Sequence, residues 1–128
     1  MVAWTEYKAI AKERGALALE LFVAVSTPQK APDDVKSVLP EHLAYIQSLE
    51  VSGQLMMAGP LSDDTGEEMQ GAGMLVLRAA SMDEAHALAA NDPMHSTGAR
   101  AYTLRRWLVN EGSVRVSVGL STGKADLR

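Results

Sequence analysis

The stretch QLMMAGPLSDDTGEEMQGAGMLVLRAA, residues 54 to 80, decides the fold. Two apolar runs, QLMMAGPLS and GAGMLVLRAA, flank SDDTGEEMQ, whose Asp, Gly and Glu residues supply turn chemistry and solvation. The segment therefore reads as a β-hairpin with a long acidic loop. Upstream, LELFVAVST from Leu19 to Thr27 is rich in residues that favour strands. Leu19, Leu21, Val23 and Val25 fall on one face and Phe22 and Ala24 on the other. The stretch TPQKAPDD breaks that strand, because Pro28 and Pro32 suit neither a ladder nor a helix interior. A helix is expected from about Pro40 to Ser52, with Pro at its first position, Glu41 at the positive N-terminal end and Gly53 at the stop. Downstream, Ser81 and Glu84 form a capping-box signature, and Met82, Ala85, Leu88 and Ala89 follow at helical spacing up to Ala90. RAYTLRRWLV, Arg100 to Val109, then has strand character, with Tyr102, Leu104 and Leu108 opposite Thr103 and Trp107.

The order β-α-β-β-α-β is that of the ferredoxin-like unit, an α+β fold with an antiparallel sheet and both helices on one face. Its second face needs a cover. Phe22, Ala24 and Trp107 are expected there, and burial by a second copy of the chain is the simplest solution, so a homodimer is expected. Residues 1 to 18 read as a helical arm with Trp4, Tyr7 and Ala11 among charged positions. Residues 19 to 110 carry the ferredoxin-like domain, and residues 111 to 128 a C-terminal strand and tail, within a single domain overall. In that last segment SVRVSVGL alternates strictly, with Val114, Val116, Val118 and Leu120 on one side, as a half-buried fifth strand does; TGKADLR is expected to fray. Such a strand can extend its own sheet or cross to a partner.

Composition narrows the chemistry. The chain has 128 residues, enough for one core, and its 47% apolar and 22% charged residues are ordinary for a globular protein. A net charge of −4, with scattered Lys and Arg and few aromatics, argues against nucleic acid as a partner. No apolar run reaches membrane-spanning length. The N-terminus MVAWTEYKAIAKERG has mixed charge where a signal peptide would have an apolar core, so a cytoplasmic location away from membranes is expected. Without cysteine, thiol nucleophiles, disulfides and cysteine metal sites are absent, which leaves His, carboxylates, hydroxyls and Arg.

On the expected first helix, Leu39, Leu43, Ile46 and Leu49 form the apolar face, and at 100° per residue His42 falls between Leu39 and Leu49, facing inward. Asp92 stands at the end of the second helix, before Pro93. An inward imidazole beside a carboxylate is held in one tautomer, and the imidazolium it forms is stabilised, which makes a general base. Structural readings stand beside this one: His42 as a hydrogen-bonded core residue, and Asp92 as the N-cap of a turn through PMHST. Arg100 suits a substrate carboxylate or enolate. His95 is either a second site residue or a surface one, and His86 is expected in solvent. Gly59 and Pro60 would shape a strand end near the cavity. Asp63, Asp64, Glu67 and Glu68 lack the ligand spacing of a calcium loop and read as a solvated loop. No metal site is expected. Gly71 and Gly73 open a strand rather than a helix and so are not a dinucleotide fingerprint.

Four motifs in this order, His42-Leu43 in the first helix, AGPL before an acidic loop, AASMDE from Ala79 to Glu84, and Asn91-Asp92-Pro93, resemble the YciI-like (YCII-related) family over about Leu19 to Trp107. The resemblance implies a dimeric α+β barrel of two ferredoxin-like units, with the site at His42 and Asp92. One branch of that family looks like a dehydrochlorinase of chlorinated hydroxybenzenes, and muconolactone isomerase shares the fold. By analogy, the expectation is proton transfer on a small oxygenated ring or lactone, as a lyase or isomerase without a cofactor. The competing expectation is a dimer that binds or senses a small ligand and performs no chemistry. His95 departs from what the family leads one to expect at its position.

Overall fold

The computed structural model describes Met1 to Arg128. The chain runs through α1 (Trp4–Glu13), β1 (Leu19–Pro28), α2 (Pro32–Ser52), β2 (Leu55–Pro60), β3 (Gly73–Leu77), α3 (Met82–Ala90), α4 (Pro93–Ser96), β4 (Arg100–Val109), β5 (Val116–Val118) and β6 (Ala125–Leu127). Residues Glu20–Trp107 make one unit; Met1–Leu19 and Leu108–Arg128 make another.

The larger unit holds a four-stranded sheet in the order β2-β3-β1-β4, which is the ferredoxin-like arrangement expected from the element order. β3 pairs antiparallel with both β1 and β2, with Ala24 opposite Leu75 and Ala58 also opposite Leu75. A bulge at Met56 shifts the register of β2 between Leu55 and Met57. The core lies between sheet and helices, where Phe22, Ala24, Leu75 and Leu77 meet Leu49 of α2 and Ala85 and Ala89 of α3. Alanines at Ala24, Ala85 and Ala89, all essentially unexposed, leave room for α3 to sit close on the sheet.

This reverses the expected facing of β1. Phe22 and Ala24 lie under the helices, and Val23 and Val25 turn to the other side, because a period of two fixes alternation but not which face the helices choose. On that outer face Met57 and Trp107 remain 49% and 42% exposed.

α2 also departs from expectation by starting eight residues earlier. Pro32 takes the first turn, Asp33 and Asp34 place negative charge at the N-terminal end, and Pro40 sits inside the helix. Pro32 meets the same local rule that made Pro40 look like a start. Gly53 ends the helix at φ +83, and its N–H reaches the Glu50 carbonyl at 3.1 Å. At the start of α3 the Ser81 hydroxyl accepts from the Glu84 N–H at 3.1 Å, and the Glu84 carboxylate accepts from the Ala80 N–H at 2.8 Å, one residue before the usual capping-box position.

In the smaller unit the Leu17 N–H donates to the Asn110 carbonyl at 3.1 Å. The tail expected to fray instead supplies β6, which pairs antiparallel with β5 (Val116 opposite Leu127, Val118 opposite Ala125). Gly123, at φ +68, supplies the left-handed turn residue between them. Only the last few residues of the tail pair, too few for a periodic signal in the sequence. Val116, Val118 and Leu127 of this ribbon are exposed, as are Val114 and Leu120 beside it, so the strand expected to be half-buried is not.

Candidate active site

α4 is a single turn, and its geometry follows from Asp92-Pro93. Pro93 suits the first helical position, and Asp92 caps it by accepting the Met94 N–H on Oδ1 at 2.9 Å. The cap leaves Asp92 1% exposed, a carboxylate withdrawn from water. Such a group needs partners. α2 supplies one: His42 Nδ1 lies 2.8 Å from both Asp92 oxygens. The two residues, fifty positions apart, are brought together by packing of α2 against the turn.

Since an ionised carboxylate only accepts, the hydrogen between the groups sits on Nδ1, and Nε2 is left as the basic nitrogen of the neutral ring. Nε2 makes no hydrogen bond within the chain. The His42 side chain is 23% exposed and opens on a cavity of about 950 Å³. The structural role of Asp92 and its pairing with His42 thus hold together, because Oδ1 serves both.

The cavity explains the facing of α2. Leu39 and Leu43 are 40% and 55% exposed; they line the cavity with Ile46, and only Leu49 of the expected stripe is buried in the core. The walls are apolar, with charge confined to a few points. Gly59, Pro60 and Arg100 line it.

Arg100 is held by β1 and the hairpin. Its Nε donates to the Ser26 hydroxyl at 2.8 Å and its Nη2 to the Ser26 carbonyl at 2.8 Å and to the Gly71 carbonyl. Gly71 adopts φ +101, and a Cβ there would lie 2.9 Å from Pro28 Cγ, so only glycine presents this carbonyl without strain. Burial lowers the Arg100 pKa and the Asp92 charge works in the opposite direction.

His95 is neither a surface residue nor part of the cavity wall. It is half-buried; Nδ1 donates to the Ala89 carbonyl at 2.7 Å, which leaves Nε2 to accept from the Ser26 hydroxyl at 2.8 Å. Its ring packs on Tyr102 with centroids 4.7 Å apart. His86 is exposed, as expected.

Ser26 and Tyr45 escaped the sequence reading. Ser26 is 4% exposed and lines the cavity; the available signal was a hydroxyl in phase with Phe22 and Ala24. Tyr45 donates to the Leu88 carbonyl at 2.6 Å, and burial, then the Asp92 charge, raises its pKa. In the acidic loop, Asp63 accepts from the Thr65 hydroxyl and from backbone N–H groups, which holds its exposed carboxyl below the usual range. No three His, Asp or Glu side chains converge as metal ligands do.

A family model described as "YCII-related domain" matches residues 19–108. An uncharacterized protein, YjpA of Bacillus subtilis (strain 168), is 32% identical over 66 residues, which are 52% of this chain and 71% of that one. Among solved structures, 5-chloro-2-hydroxyhydroquinone dehydrochlorinase (TftG) from Burkholderia phenoliruptrix AC1100, in complex with 2,5-dihydroxybenzoquinone, aligns with a TM-score of 0.49 and 25% identity. That alignment covers 68% of this chain and 92% of the other.

Proposed function

The chain belongs to the YCII-related domain family, and on that premise we propose that it is a small-molecule enzyme that moves a proton with His42 and Asp92. The observation that carries this reading is the 2.8 Å contact of His42 Nδ1 with Asp92, with Nε2 unpartnered beside a cavity. His42 Nε2 takes a proton from a carbon or oxygen of the bound substrate. The resulting imidazolium keeps its Nδ1–H on Asp92, whose carboxylate also accepts the Met94 N–H. Arg100 holds an anionic oxygen of the substrate, carboxylate or enolate. Return of the proton to a different atom gives isomerisation; departure of a leaving group gives elimination. The substrate is a small oxygenated ring or lactone, and the enzyme works as a homodimer joined through the outer sheet face.

The test is hydrogen exchange in deuterated water with lactones and halogenated hydroxybenzenes, followed by NMR. Wild type should incorporate deuterium or convert one of them. His42→Gln should lower that rate by roughly a hundredfold or more, the usual contribution of a general base. Equal rates in both proteins would remove His42 from the mechanism.

A further inference from the structure

Arg100 is unusual in this molecule because it is half-buried, faces a cavity and has no carboxylate partner. Its bonds to Ser26 and Gly71 engage Nε and Nη2 and leave both Nη1 hydrogens without a partner in the chain. Nη1 keeps two N–H donors on a group that carries positive charge, enough for a charge-assisted hydrogen bond to a carboxylate oxygen. Here Nε and Nη2 are clamped by neutral acceptors, which fix the direction of the guanidinium without cancelling its charge.

The clamp has a backing. Ser26 accepts from Arg100 Nε and donates to His95 Nε2, and His95 donates from Nδ1 to the Ala89 carbonyl. Each donor in this chain has one acceptor, so the Ser26 hydroxyl points one way only. Its lone pairs face Arg100.

The charge balance of the wall runs against that of the protein. The whole chain carries −4, yet the cavity is lined by three cations, Lys30, Lys36 and Arg100, and by one carboxylate, Asp92. Asp92 is already committed to His42 and the Met94 N–H. Lys36 has no partner in the chain, and Lys30 reaches only the Thr97 carbonyl at 3.1 Å. Between the charged points the wall is Leu39, Leu43, Ile46 and Met74. A ligand that fits this surface has one anionic end and an apolar body.

We propose that the cavity binds a carboxylate with an apolar body, its anionic end paired to Arg100, with Ser26 and His95 as the residues that position the guanidinium. This rests on the reading of the cavity as the site and adds the class of ligand to it.

Benzoate and 2-naphthoate serve as probes, with benzamide and 2-naphthamide as neutral counterparts, and binding is followed by NMR at the Arg100 Nε–H resonance and by calorimetry. The carboxylates should bind at least about tenfold more tightly than the amides, in keeping with a hydrogen bond to a charged group. Naphthoate should exceed benzoate, and salt should weaken both. Arg100→Gln should remove the preference for the carboxylate. Because that substitution alters a buried network, Lys36→Gln on the exposed rim gives a second reading: it should weaken carboxylate binding a few-fold and leave the amides unchanged. His95→Gln should lower the carboxylate-to-amide ratio while Arg100 remains present, an effect a purely structural histidine would not give. Equal binding of acids and amides by the wild type, or no carboxylate binding, would overturn the proposal. His42→Gln separates this claim from the proposed chemistry: it should lower exchange by roughly a hundredfold or more, while the preference for carboxylate over amide persists. Exchange that depends on His42 but runs only on neutral ligands would leave the dyad standing and remove the carboxylate subsite.

Discussion

Asp92 serves two elements with one oxygen, and substitutions divide its roles. Asn caps a helix nearly as well as Asp but lacks the charge that holds His42 Nδ1–H and stabilises the imidazolium. Asp92→Asn should therefore keep most of the folding stability, losing less than about 1 kcal/mol in a denaturant titration, while the rate falls by roughly a hundredfold or more. Asp92→Ala should lose the cap as well and unfold about 1–3 kcal/mol more easily, since the buried Met94 N–H is left without an acceptor. Tyr45 makes a pH prediction. Its phenol is raised above the usual value of about 10 by burial and by the Asp92 charge, so the folded state favours the neutral form. That contribution is complete below about pH 10 and is lost as pH climbs from there through the folded value. Tyr45→Phe should lower stability near neutrality by about 1 kcal/mol, through loss of the bond to the Leu88 carbonyl, and should flatten the alkaline fall. At this scale the sequence was readable where one residue carried two local signals, as Asp92 did with Pro93 and His42 with its apolar neighbours. Ser26 and His95 were not readable, since their meaning lies in a contact across 69 positions.

Among the elements, α2 shows a local rule applied at the wrong place. Both Pro32 and Pro40 satisfy the preference for proline at a helix start, and only tertiary packing chooses the earlier one. The two extra turns bring Val35 and Lys36 to the cavity, at the expense of an interior proline that cannot donate to the Lys36 carbonyl. Pro40→Ala should restore that bond and raise unfolding stability by roughly 1–3 kcal/mol, measured by denaturant. No change or a loss would mean that the break is used for packing. β1 was legible as a strand but not in its facing, because alternation alone leaves two choices. The β5–β6 ribbon was half legible. Val116 and Val118 announced a strand, whereas Ala125–Leu127 is too short and polar to do so. A two-stranded ribbon is marginal in water, so its amides should exchange much faster than those of β3 in a dilute sample.

For the molecule as a whole, no helix is long and apolar enough to cross a membrane. The outer sheet face, with Met57 and Trp107 exposed, suits a second copy. Sedimentation at micromolar concentration should give a mass near twice the 13.7 kDa of one chain, and Met57→Glu with Trp107→Glu should return it to one. A single-chain mass for the unaltered protein would remove the dimer from the proposal. What the molecule does depends on whether His42 offers a bare Nε2 to the cavity, and NMR of ring-labelled histidine reads this directly. In the neutral ring the His42 signals should show hydrogen on Nδ1 and none on Nε2, and the Nε2 signal should move when a substrate analogue binds. Hydrogen found on Nε2, with Nδ1 bare, would contradict the pairing with an ionised Asp92 and the base assigned to it.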